Sequence, residues 1–112
     1  MLKMMIRMNE NKITAEKKYQ LDGIYATLHN TFQSLGFSRV EDASGALVYR
    51  DCGREQDFSL FGKIVNTLKK QTWFMDNVSA WRFYDSDDAD THDDFNEEDL
   101  LNHYRNKHIT RT

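Results

Sequence analysis

Proline is absent from this 112-residue chain, cysteine occurs once, at Cys52, and glycine is sparse. Each shortage narrows the possibilities. Few loop-punctuating residues favour regular α+β structure over a loop-rich scaffold. A lone cysteine cannot form an internal disulfide, which fits a reducing, cytoplasmic setting. The opening MLKMMIRMN is too short and too charged for a signal peptide or a membrane span, so no membrane partner is expected. There is no phosphate loop and no zinc-ligand spacing.

What is present is aromatic and charged. Seven Phe, five Tyr and two Trp suffice for one core in a single domain of this length. Residues 1–84 carry 12 Lys+Arg against 9 Asp+Glu, a net of +3, whereas residues 85–112 carry 3 against 9, a net of −6. That split argues against a broad nucleic-acid-coating surface and leaves room for a local basic groove.

Periodicity supplies the elements. KMMIRM (3–8) alternates, with Met4, Ile6 and Met8 opposite Met5 and Arg7, as in a strand. Leu21, Tyr25, Leu28, Phe32 and Leu35 form a helical stripe that Gly36 stops, with Thr14 or Asp22 as its cap. FSRVE and ALVYR flank DASG as a hairpin. Phe58, Phe61, Ile64, Val65 and Leu68 mark a second helix opened by Asp57 or Ser59. VSAWRFY (78–84) alternates again, with Ser79, Trp81 and Phe83 opposite Ala80, Arg82 and Tyr84. A third helix is predicted from about Asp94 to about Lys107.

This order predicts an α+β, ferredoxin-like βαββαβ domain: a four-stranded antiparallel sheet with an added C-terminal helix. Residues 1–92 form its body, and 93–112 add the acidic-start helix and basic tail of the same domain. Apolar or aromatic residues on both strand faces, including Met5, Val48 and Tyr84, imply that the second face is covered. A second copy of the chain is the simplest cover, and the terminal helix is the other.

Leu35-Gly36-Phe37, Trp73-Phe74, Val78, Arg82 and Ser86-Asp87, in that order, resemble the virulence-associated protein D (VapD) family. The resemblance spans about residues 20–91. It implies the fold of the small nuclease subunit of the CRISPR adaptation machinery. It also implies a homodimer, metal-assisted endoribonuclease activity with magnesium or manganese, and a toxin–antitoxin or mobile-element role. The family's carboxylate near the end of the first strand falls here on Met8 or Asn9, followed by Glu10. On this reading Asn9 and Glu10 of both subunits would hold the metal, or else the nuclease is degenerate. Arg7 or Arg82 would bind RNA phosphate, unless Arg82 pairs with a carboxylate across the dimer.

The run WRFYDSDDADTHDDFNEED (81–99) offers a different class of function. Neither EF-hand register works: glycine's position holds Asp90 in one and Asp93 in the other. Asp93 or Asp94, with Glu97, suits a helix start. Asp85, Asp87, Asp88 and Asp90 are left as a solvated linker or as a surface for a basic protein partner. The latter describes a non-catalytic, anti-CRISPR-like inhibitor of a nuclease. Trp73, Phe74 and Trp81 fit a core better than a base-stacking platform, and Cys52 has no neighbouring His to activate it.

Overall fold

The computed structural model describes residues 2–40, 45–85 and 96–109. The elements run β1 (Leu2–Met8), α1 (Glu10–Glu16), α2 (Leu21–Gln33), β2 (Ser38–Val40), β3 (Leu47–Arg50) and α3 (Asp57–Leu68). They continue through α4 (Thr72–Met75), β4 (Val78–Asp85), β5 (Asn96–Asp99) and α5 (Leu100–Ile109). The chain is α+β, with one antiparallel sheet in the order β2-β3-β1-β4-β5. No helix among the described residues is long and apolar enough to cross a membrane.

Strand alternation sorts the side chains as expected. Leu2, Met4, Ile6 and Met8 are buried on one face of β1, together with Leu47 and Tyr49 of β3 and Trp81 of β4. Helices α2 and α3 close this face with Ile24, Leu28 and Phe32, and with Phe61, Ile64 and Leu68. Tyr49 stacks on Phe32 with ring centroids 4.1 Å apart, and Phe37 stacks on Phe61 at the same separation. Phe74 and Trp81 are fully buried and meet edge to face at 5.0 Å, so these two aromatics belong to the core.

The sheet has five strands rather than the four expected. Asn96–Asp99 pairs with Arg82–Asp85, where a helix start was predicted, and α5 begins only at Leu100. Asp99 provides the start signal, its Oδ1 accepting Asn102 N–H at 3.0 Å. Glu97 therefore lies on a strand instead of closing a capping box. Leu100 and Leu101 join the same core, and Tyr104 stacks on Trp81, so α5 docks on the core side of β4.

Two smaller expectations also fail. Phe58 is 60% exposed, because Phe61, Ile64 and Leu68 already fill the inward stripe of α3. Ser79 leaves the core set because the β1–β4 register shifts there: Arg7 pairs with Ala80 and Met8 with Val78. This is a β-bulge, and the extra residue points to solvent.

Candidate functional site

The bulge lies beside the end of β1 and begins the site. Ser79 Oγ donates to the Arg7 carbonyl at 3.0 Å, while Asn9 N–H donates to the Asn77 carbonyl at 2.7 Å. The chain then turns directly into α1, because Asn9 Oδ1 accepts Lys12 N–H at 3.1 Å and caps the helix. Glu10, the first residue of α1, projects toward α2, where Tyr25 Oη donates a hydrogen bond to Glu10 Oε1. These contacts surround a cleft of about 510 Å³ lined by Arg7, Asn9, Glu10, Tyr25 and Ser79, with Gly45 and Leu47 beside them.

Electrostatics mark the Glu10–Tyr25 contact. Burial, then the hydrogen bond to Glu10 and the charge on that carboxylate, push the Tyr25 phenol up to about 12. Arg39 and Arg7 pull it the other way, which places both guanidiniums within electrostatic reach of the hydroxyl. The phenol is consequently a neutral hydrogen-bond donor at physiological pH. A carboxylate and a phenol in contact supply a proton acceptor and a proton donor within reach of one bound group.

The sequence-derived residues separate into three places. Arg7, Asn9 and Glu10 meet at the cleft, as their neighbouring positions required. Arg82 lies on the sheet face opposite the core and pairs with Glu97 of its own chain at 3.2 Å. Both side chains are well exposed, so this bridge contributes little. Asp85 ends β4 opposite Leu2, whereas Asp87, Asp88, Asp90, Asp93 and Asp94 lie outside the described residues. Tyr25, Arg39 and Ser79 were missed as site residues. Tyr25 fits the apolar stripe of α2 by spacing, and only its hydroxyl distinguished it from the other stripe residues.

The described donors of one chain do not by themselves make the metal site that the family resemblance implies for two subunits. Asn9 Oδ1 is engaged by Lys12 N–H and Glu10 Oε1 by Tyr25, while Arg7 and Arg39 add positive charge. A divalent magnesium-type site rests on carboxylate oxygens and water. Glu10 is the only carboxylate lining the cleft among the described residues. No described group of three His, Cys, Asp or Glu side chains forms a candidate metal site.

Compared with family models, curated proteins and solved structures, the chain matches none.

Proposed function

We propose that this chain is a ferredoxin-like, VapD-type protein that cleaves RNA, as in toxin–antitoxin or mobile-element systems. The sheet order β2-β3-β1-β4, with α2 and α3 on one face, supports the ferredoxin-like part, with β5 as an added edge. One observation carries the chemistry: the Glu10–Tyr25 pair faces a cleft that also contains Arg7.

In this reading Arg7 and Arg39 hold the scissile phosphate. Glu10 Oε2 takes the proton of the ribose 2′-hydroxyl, whose oxygen attacks phosphorus. The P–O5′ bond breaks as the O2′–P bond forms, leaving a 2′,3′-cyclic phosphate. The departing 5′-oxygen takes the Tyr25 proton, and the proton on Glu10 then returns to Tyr25. No external nucleophile, electron carrier or metal enters the balance. An alkoxide leaving group is far more basic than a phenolate, so Tyr25 remains an adequate acid even at about 12.

The test is cleavage of end-labelled RNA in EDTA by the wild type and by Glu10→Gln and Tyr25→Phe. We expect cyclic-phosphate ends from the wild type, with each substitution slowing cleavage about 100-fold or more. No wild-type cleavage, or full activity in Glu10→Gln, would refute the proposal.

A further inference from the structure

One short segment, residues 76–79, holds the end of β1 and the start of α1. Ser79 Oγ donates to the Arg7 carbonyl, Asn9 N–H donates to the Asn77 carbonyl, and Lys12 Nζ donates to the Asp76 carbonyl. Residues 7, 9 and 12 thus meet residues 79, 77 and 76 in antiparallel order. The segment is itself fixed. Asp76 N–H donates to the Thr72 carbonyl at 3.0 Å, Asn77 N–H to that of Phe74 at 3.1 Å, and Asn77 Nδ2 to that of Trp73 at 2.9 Å. Phe74, Asn77 and Val78 are buried, so the core aims the two carbonyls that α1 meets.

Lys12 is the side chain in this arrangement that reaches across. The Asp76 carbonyl follows α4, where a helix end leaves carbonyls without an internal partner, and a lysine satisfies such a group. Helix α1 needs the anchor: it has seven residues, too few for an isolated helix in water, and it buries Ile13 alone. Two residues along a helix turn about 200°, so Lys12 and Glu10 grip α1 from opposite sides. Lys12 reaches Asp76 while Glu10 reaches Tyr25 on α2. Lys12 Nζ also lies 3.7 Å from Glu16, but that pair is well exposed and weak.

Resting on the RNA-cleavage reading, we propose that Lys12 is a positioning residue for that reaction: by holding the Asp76 carbonyl it sets the rotation of α1 that points Glu10 at Tyr25 and the cleft. Lys12 does not line the cleft, so it acts through Glu10 and not on RNA. Proton transfer requires the carboxylate within hydrogen-bond reach of its partners, and a misplacement of about 1 Å can cost a hundredfold in rate. The charges that bear on the Tyr25 hydroxyl are those of Glu10, Arg39 and Arg7. A change at Tyr25 on replacing Lys12 therefore arrives through geometry.

The position of Glu10 is read without RNA, from the Tyr25 Cζ chemical shift at pH 7 in a tyrosine-labelled sample, with Glu10→Ala marking the shift when the contact is absent. Lys12→Met should move the resonance most of the way to that mark. Lys12→Arg, which still reaches a carbonyl, and Glu16→Gln should leave it at the wild-type position. In RNA cleavage, Lys12→Met should lower kcat about tenfold or more at unchanged KM, and Lys12→Arg should restore most of the rate. A wild-type resonance in Lys12→Met overturns the proposal. So does a raised KM at unchanged kcat, which would assign Lys12 to RNA binding, or a Glu16→Gln resonance moved as far as that of Lys12→Met, which would assign the effect to the ion pair. If the wild type cleaves no RNA while Lys12→Met moves the resonance, the cleavage reading alone falls and Lys12 stands as the residue that aims Glu10.

Discussion

Tyr25 on α2 hydrogen-bonds Glu10 at the start of α1, joining two helices at the mouth of the cleft. Its phenol is raised to about 12, chiefly by burial and then by Glu10, above the ordinary tyrosine value near 10. For a group whose folded pKa is raised, the stabilisation is complete below the unfolded value and is lost as pH rises through the folded one. Stability should therefore fall across about pH 10 to 12. Tyr25→Phe should flatten that part of the alkaline unfolding curve, measured by circular dichroism. Glu10→Gln should bring the Tyr25 absorbance titration back toward 10.

Asp57 tests the packing beneath the sheet's other end. Its carboxylate is 1% exposed and accepts Cys52 N–H at 2.7 Å, Arg54 N–H at 3.1 Å and Arg54 Nε at 2.8 Å. Burial raises its pKa, but these hydrogen bonds and the guanidinium charge together outweigh that effect and hold it below the usual range. Its stabilisation is then present above the unfolded value of about 3.9 and is lost as pH falls through the lower folded value. Asp57→Asn should cost about 2–3 kcal/mol in urea unfolding at pH 7, because its amide turns donors toward donors. It should also remove part of the acid-side slope.

Gly36 links that ion pair to the end of α2. Its φ is 87°, and a Cβ there would lie 2.9 Å from Arg54 Nη1, whose neighbour Nη2 donates to the Leu35 carbonyl at 2.7 Å. Gly36→Ala should cost about 1–2 kcal/mol from the left-handed backbone alone. The clash adds to this cost. In a double-mutant cycle, Arg54→Ala should relieve the contact and leave the backbone cost, so the paired losses should be less than additive.

The contrast between these sites and β5 shows what the sequence could reveal. Alternation identified β1 and β4 because one face of each packs on the helices, and Gly36 announced the end of α2 through its backbone freedom. Asn96–Asp99 has no apolar alternation, and its strand form comes from pairing with Arg82–Asp85, a contact invisible in local pattern. Acidic residues suit an exposed edge strand that must not pair with another chain. The cleft was half legible. Arg7, Asn9 and Glu10 are neighbours in sequence, but Tyr25 entered through the packing of α2, and Ser79 through a bulge that shifts strand parity.

Asn9 provides a direct test of the metal question. Its Oδ1 caps α1, and an Asp caps a helix about as well, so Asn9→Asp should fold with little change in stability. One carboxylate oxygen would continue to accept Lys12 N–H, leaving the other beside Glu10 in the cleft. Two carboxylates can retain a manganese or magnesium ion through oxygen and water ligands, where Glu10 alone beside Arg7 cannot. Manganese at ten times its dissociation constant would stabilise the folded variant by about 1.4 kcal/mol. We therefore expect manganese to raise the melting temperature of Asn9→Asp by several degrees and leave the wild type unmoved. Equal shifts in both proteins would mean that the natural cleft already holds the ion.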